Sequence, residues 1–313
     1  MTAVAPPSAQ TSPSSARSTM HELVGPAGAP VVLALGGISA HRHVAQSAAD
    51  PSPGWWDGVV GPGRAIDTTS RRVLGIDYAD GGRAANGRPA SIVTTREQAE
   101  RIVALLDQQG IDRLDAVIGA SYGGMVALAL AQYWPDRVRR IVVIGAAHES
   151  HPMATGLRAI QRRIVELGLD TGKSSDAMAL ARAVAMTTYR TAREFTERFD
   201  VHPDIVDGTV EFDVERYLVH AGQRFAERMP PERFLALSLS ADLHRVVPEH
   251  IDVPTTVIAA QGDTLVPPLQ MRAMARRLPQ LAQFATLRTR YGHDAFLIEP
   301  AKVGRLLTSA LAD

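Results

Sequence analysis

Apolar residues along this chain follow two alternating rhythms. Short unbroken runs at 30–35, 72–77, 114–118, 138–144 and 254–260 are rich in Val, Ile and Leu and read as strands buried on both faces. Between them, 95–109 carries apolar positions at helical spacing through Ala99, Ile102, Val103, Leu105 and Leu106, with Gly110 as a C-terminal cap residue. A second helix follows Gly124 and ends near Tyr133, Trp134 and Pro135. Strand and helix in alternation predict an α/β protein: a mostly parallel sheet flanked by helices. From His148 to His250 the rhythm changes, and 156–167, 175–190, 191–199, 214–229 and 232–240 all read as helices with no convincing strand. After Val253 the first pattern returns, ending in an alternating strand at 284–290. The expected organisation is a disordered tail at 1–20, a first core segment at 21–147, an inserted helical lid at 148–250 and a second core segment at 251–313.

Composition narrows the function classes. A chain of 313 residues with 45% hydrophobic content can bury a full core. Its 33 basic and 33 acidic residues balance without long blocks of one sign, which leaves no footprint for nucleic acid or an acidic membrane and points to a small-molecule partner. The absence of cysteine excludes disulfides, thiolate metal sites and a cysteine nucleophile. No apolar run approaches the roughly 20 residues that cross a bilayer. Residues 1–18 are mostly Ala, Pro, Ser and Thr and lack the apolar segment of a secretion signal, so a cytoplasmic location is expected. His41 and His43 have no nearby third ligand or metal motif, and no metal is expected there.

The chemistry concentrates in Gly119-Ala120-Ser121-Tyr122-Gly123, a G-x-S-x-G pentapeptide between a predicted strand and a predicted helix. That order is the nucleophile elbow: a serine on a turn so sharp that only glycines on either side let strand and helix pass. Such a serine needs a base and an orienting acid, which follow it in the order Asp, His. Gln261-Gly262-Asp263 ends a buried strand with a carboxylate just past its tip, and Gly292-His293 breaks the last strand with an imidazole on a loop. Ser121, Asp263 and His293 are therefore the candidate nucleophile, acid and base, with His293 taking the serine proton and Asp263 fixing the imidazole tautomer. The oxyanion of the attacked carbonyl needs two fixed donors. The N–H of Tyr122 is one; the other is expected from Gly37 or Ile38, in the Gly-rich loop after the first apolar run. Losing one such donor costs about 3 kcal/mol of transition-state stabilisation.

Four blocks extend this pattern: Val60-Gly61-Pro62-Gly63-Arg64-Ala65-Ile66-Asp67-Thr68; Gly123-Gly124-Met125; Ala181-Arg182 with Thr188-Tyr189-Arg190; and Gly292-His293-Asp294-Ala295-Phe296-Leu297. Together they resemble the homoserine O-acyltransferases of methionine biosynthesis, a branch of the α/β-hydrolase superfamily. The shortness of 76–82 and the form of 35–44 look more like members that use succinyl-CoA than the longer, acetyl-using ones. The resemblance implies an α/β-hydrolase fold, a homodimer, acyl-CoA as co-substrate with no bound cofactor, and a ping-pong transfer to the homoserine hydroxyl. It carries the amino-acid carboxylate to Arg182 and the ammonium to Asp294, which could equally cap the next helix. A succinyl group adds a second carboxylate, for which Arg42 is the first candidate, with Arg190 and Arg64 as competitors. Alternatives within the resemblance are an acetyl donor or a serine acceptor; outside it stand an esterase-type hydrolase using the same three residues, and a catalytically silent binding module.

Overall fold

The computed structural model describes residues 19–312. Most of the tail expected at 1–20 lies outside the described residues, and by His21 the chain is already in a strand. The strands are β1 (His21–Val24), β2 (Val31–Leu35), β3 (Val60–Gly61), β4 (Ile66–Asp67), β5 (Arg72–Ile76), β6 (Ala116–Ala120), β7 (Ile141–Ile144), β8 (Asp204–Val206), β9 (Thr209–Glu211), β10 (Thr255–Ala260) and β11 (Leu281–Leu287). The helices are α1 (Thr95–Gln108), α2 (Tyr122–Tyr133), α3 (Pro152–Asp170), α4 (Ser174–Tyr189), α5 (Ala192–Arg198), α6 (Asp213–Ala226), α7 (Pro231–Leu243), α8 (Pro268–Ala275), α9 (Ala295–Ile298) and α10 (Pro300–Leu311).

Seven strands form the main sheet in the order β1-β5-β2-β6-β7-β10-β11, parallel throughout except for β1 against β5. The apolar runs are unbroken because both faces are covered. On one face Leu33, Val117 and Val257 pack with Ile102, Leu106, Val126 and Leu130 of α1 and α2. On the other, Val32, Ile118 and Ile258 pack with Trp56, Ile66 and α10 residues Val303 and Leu307. α1 starts on a capping box in which Thr94 accepts from the Glu97 N–H and the Glu97 carboxylate accepts from the Thr94 N–H. Every residue of β6 is buried, as is α2 from Tyr122 to Ala131, so the sheet's central strand feeds its most buried helix. The chain leaves β2 for β5 on one side and returns to β6 on the other. This reversal opens a crevice at the carboxyl ends of β2 and β6, where open parallel sheets bind ligands.

The segment between β7 and β10 carries α3 to α7 and a small core of its own, formed by Val165, Met178, Ala181, Met229, Phe234 and Leu235. It also carries the antiparallel hairpin β8–β9, where only helices were expected. The hairpin turns at Asp207 and Gly208, both at positive φ (50° and 78°), the pair of left-handed residues that a two-residue turn between twisted strands requires. The last strand, expected at 284–290, begins and ends three residues earlier, at Leu281–Leu287. Among the described residues no helix is long and apolar enough to cross a membrane.

Candidate active site

β6 ends at Ala120, α2 begins at Tyr122, and the single residue between them, Ser121, sits at φ 54° and ψ −122°. A side-chain-bearing residue persists at such angles only where its surroundings hold it. Here the Ser121 N–H donates to the Ile144 carbonyl at 2.8 Å, and the Ser121 carbonyl accepts from Gly124 and Met125 at 2.9 and 3.2 Å. The flanking glycines are required by contact: a Cβ on Gly119 would lie 2.3 Å from the Gly123 carbonyl oxygen, and one on Gly123 would lie 2.4 Å from the Leu35 oxygen.

The three candidates, spread over 172 residues of sequence from Ser121 to His293, meet at this elbow through side-chain hydrogen bonds. The Ser121 hydroxyl is 2.8 Å from His293 Nε2, and His293 Nδ1 is 2.7 Å from Asp263 Oδ2. The other carboxylate oxygen, Oδ1, accepts the N–H groups of Leu265 and Val266, both at 2.9 Å, so the loop after β10 clamps the acid. A carboxylate only accepts, which puts the imidazole proton on Nδ1 and leaves Nε2 to accept from serine. Burial opposes a charged imidazole at His293, but the charge and hydrogen bond of Asp263, assisted by Asp294, outweigh it and raise the His293 pKa above its ordinary value.

The loop after β2 is braced from below. The Gly36 carbonyl accepts from the Tyr78 hydroxyl at 2.8 Å and from the Gly123 N–H at 2.9 Å. The Tyr122 hydroxyl pairs with Ser240 at 2.7 Å and accepts from Gln98 at 3.3 Å, and burial pushes the phenol up to about 12, so it stays neutral. Gly37, Ile38 and Tyr122 all line the cavity over Ser121. Among the described residues, the N–H groups of Tyr122 and Ile38 have no backbone carbonyl partner, leaving both available to an oxyanion.

That cavity, of about 230 Å³, has Ser121 and His293 among its lining residues. Its arginines are Arg158 and Arg182, and Asp294 also reaches it. Arg182, on α4, stands over the rings of Tyr189 and Phe225 at 4.9 and 4.8 Å. Asp294 makes no helix-capping bond, and its Oδ2 accepts instead from Arg190 Nε at 3.0 Å. The sequence reading missed Arg158. It reaches the cavity from α3, held by Asp242 of α7, whose carboxylate it shares with Arg162 (2.7 and 2.6 Å). The available signal was the pair Arg158 and Arg162, one turn apart and on the same face of a helix.

The arginines first considered for a second carboxylate lie elsewhere. Arg42 is 44% exposed, bonds Asp77 at 2.6 Å and does not line the cavity. Arg190 is spent on Asp294 and Glu194, and Arg64 is exposed in a turn where Asp67 accepts from Gly63 and Thr69. His43 uses both ring nitrogens inside the fold, on Glu22 and the Ser52 carbonyl, each at 2.8 Å.

Residues 30–300 match the family model of the alpha/beta hydrolase fold. A homoserine O-succinyltransferase of Xanthomonas campestris is 44% identical over 93% of this chain and 78% of that protein. A homoserine O-acetyltransferase of Geobacter sulfurreducens is 32% identical over 88% of this chain and 84% of that one. A serine O-succinyltransferase of Litchfieldella anticariensis is 32% identical over 90% and 88%. Among solved structures, a homoserine O-acetyltransferase from Bacillus anthracis superposes with a TM-score of 0.82 at 19% identity, covering 94% of this chain and 91% of that one, which shows the fold alone. On these matches, the chain belongs to the homoserine O-acyltransferase family of the α/β-hydrolase superfamily.

Proposed function

We propose that this protein transfers a succinyl group from succinyl-CoA to the hydroxyl of L-homoserine, as a cytoplasmic enzyme of methionine biosynthesis that works as a homodimer. The observation that carries the reading is the bonded chain Ser121–His293–Asp263 at the floor of a cavity that also holds two arginines and one carboxylate. The 44% identity to a homoserine O-succinyltransferase supports the choice of donor and acceptor.

In the first half-reaction His293 Nε2 takes the Ser121 proton as Oγ attacks the thioester carbonyl. The N–H groups of Tyr122 and of Ile38 or Gly37 hold the oxyanion, and His293 returns its proton to the departing CoA sulfur. In the second, His293 takes the proton of the homoserine hydroxyl, whose oxygen attacks the acyl-serine, and Ser121 leaves with that proton. Arg182 holds the amino-acid carboxylate and Asp294 the ammonium; Arg158, rather than Arg42, takes the succinyl carboxylate. The helices α3 to α7 act as the lid, limiting water that would otherwise hydrolyse the acyl-enzyme.

The test is a matrix of succinyl-CoA and acetyl-CoA against homoserine and serine, read as thiol release, with light scattering for the dimer. Release that requires homoserine and favours succinyl-CoA is the expected result. Release without any amino acid would make the protein a hydrolase, and a serine preference would move it towards the reaction of the serine O-succinyltransferase.

A further inference from the structure

Two phenols meet beneath the loop after β2, and neither belongs to the triad. Tyr78, two residues past β5, donates its hydroxyl to the Gly36 carbonyl at 2.8 Å, and the same carbonyl accepts from the Gly123 N–H at 2.9 Å. Tyr122 stands edge to face against Tyr78, with ring centres 4.9 Å apart. Its hydroxyl lies 2.7 Å from Ser240 Oγ on α7 and 3.3 Å from Gln98 Nε2 on α1. Gln98 is locked in turn, donating to the Ala79 carbonyl at 2.7 Å and accepting from the Ala79 N–H at 3.0 Å. Tyr78, Gln98, Tyr122 and Ser240 are all buried. From the same helix as Ser240, Arg233 donates to the carbonyls of Tyr78 and Ala40, at 2.9 and 3.5 Å. The inserted helix α7 is thus tied both to the elbow and to the loop facing it.

Peptide geometry turns these bonds into a constraint on the oxyanion donors. In a trans peptide the C=O and the N–H point in opposite directions. Two donors gripping the Gly36 carbonyl therefore turn the Gly37 N–H away from the network. The Gly37 carbonyl accepts from the Ala40 N–H at 2.9 Å, which fixes the direction of the Ile38 N–H by the same rule. On the facing side, the Tyr122 N–H belongs to a residue whose side chain is held at its far end by Ser240 and Gln98. A phenylalanine would fill either ring site, and a buried hydroxyl left unpaired costs about 1–3 kcal/mol. What the two hydroxyls add to packing is direction, imposed on peptide groups on both sides of Ser121.

We propose that Tyr78 and Ser240 are positioning residues for acyl transfer: Tyr78 through the Gly36 peptide, and Ser240 through the Tyr122 phenol, set the spacing of the two oxyanion donors. On this account α7 takes part in building the oxyanion hole. The proposal rests on attack by Ser121 on an acyl carbonyl, which is part of the function proposed above.

The experiment uses Tyr78→Phe, Ser240→Ala, Tyr122→Phe and the Tyr122→Phe/Ser240→Ala double variant. Each is assayed with succinyl-CoA plus homoserine and with p-nitrophenyl acetate, an ester that engages the oxyanion hole without CoA or an amino acid. Rates are referred to the fraction of Ser121 that a fluorophosphonate labels at completion, so a partly unfolded sample does not register as a slow enzyme. In each single variant kcat should fall about tenfold, less than the 10²–10³-fold loss of removing a donor outright, with KM little changed. The pH limb set by His293 should stay in place, because the base is untouched. The double variant should be about as slow as either of its singles, since both remove the same bond. Unchanged kcat in Tyr78→Phe and Ser240→Ala would overturn the proposal. Losses carried by KM, or a moved pH limb, would overturn it equally, since they mark general damage to the site. If the variants respond as expected on the ester while the wild type releases no thiol from succinyl-CoA with homoserine, the proposed substrates fall and the positioning role stands. A wild type inert towards both would overturn both.

Discussion

The edge of the sheet and the helical segment above it hold their functional side chains by different means. At the sheet edge the backbone does the holding: Ser121 is fixed by strained angles and three main-chain bonds, and Asp263 by two N–H groups. In the helices the holding is done by other side chains. Arg158 depends on Asp242 and Arg182 on two aromatic rings, while Arg190, at the end of α4, reaches down to Asp294 beside the base. Backbone geometry cannot drift without unfolding a strand, whereas an ion pair or a ring stack can be exchanged residue by residue. Under the proposed function, bond-making falls to the rigid edge and substrate choice to the adjustable helices.

The largest expected effect is at the edge. Ser121→Ala should lower homoserine-dependent thiol release by about 10⁴-fold or more, with thermal unfolding little changed. Retention of activity within tenfold would remove the serine from the mechanism. In the helices the larger effect should be on stability: Asp242→Ala leaves Arg158 and Arg162 without their shared acid, for a loss of about 3 kcal/mol in urea unfolding. A variant as stable as the parent would show that the α3–α7 contact does not depend on this ion cluster.

Two buried histidines sharpen the contrast because they answer pH in opposite senses. His244, at the end of α7, lies 2.8 Å from Thr95 Oγ1, and burial pulls its pKa down to about 3. Unfolded, it takes a proton below about pH 6.5, so its contribution is present above that pH and lost as pH falls towards 3. Unfolding free energy should drop on the order of 3 kcal/mol by about pH 4, and His244→Asn should flatten that slope. His293 is the reverse: its raised pKa adds stability below about pH 6.5 that fades as pH rises through the folded value. Catalysis needs the neutral ring, so kcat/KM should rise with pH along a limb centred above the ordinary histidine value. The smallest effect expected is that of Asp294→Asn, which removes one charge holding the proton on His293. It should move that limb to lower pH and raise KM for homoserine about tenfold. An unmoved limb would mean that Asp294 does not act on the base.

Much of the edge was legible because its signals are local. Gly119, Ser121 and Gly123 announce a turn that only small residues permit, and each apolar run reports burial on both faces. Asp207-Gly208 was equally legible as a hairpin turn, but helical spacing on either side overshadowed it. The strand β1 gave no such signal: its four residues are only half-buried, and its place is set by pairing with β5 some fifty residues later. Arg158 shows the deeper limit. In the sequence it is one of many arginines on a predicted helix; only the packing of α3 on α7 brings Asp242 beneath it and turns it towards Ser121. Arg42, next to a promising loop, is turned away by Asp77 for the same reason.

By itself, then, the sequence determined the alternation of elements, the elbow, and the identities of the three groups that meet there, because chain geometry and burial act within a few residues. Tertiary structure alone decided which arginines face the serine, which are neutralised by distant acids, and that Ser240 of α7 meets the Tyr122 phenol. Those outcomes depend on side-chain pairs formed across the fold, and a pairing partner far along the chain leaves no periodicity to read.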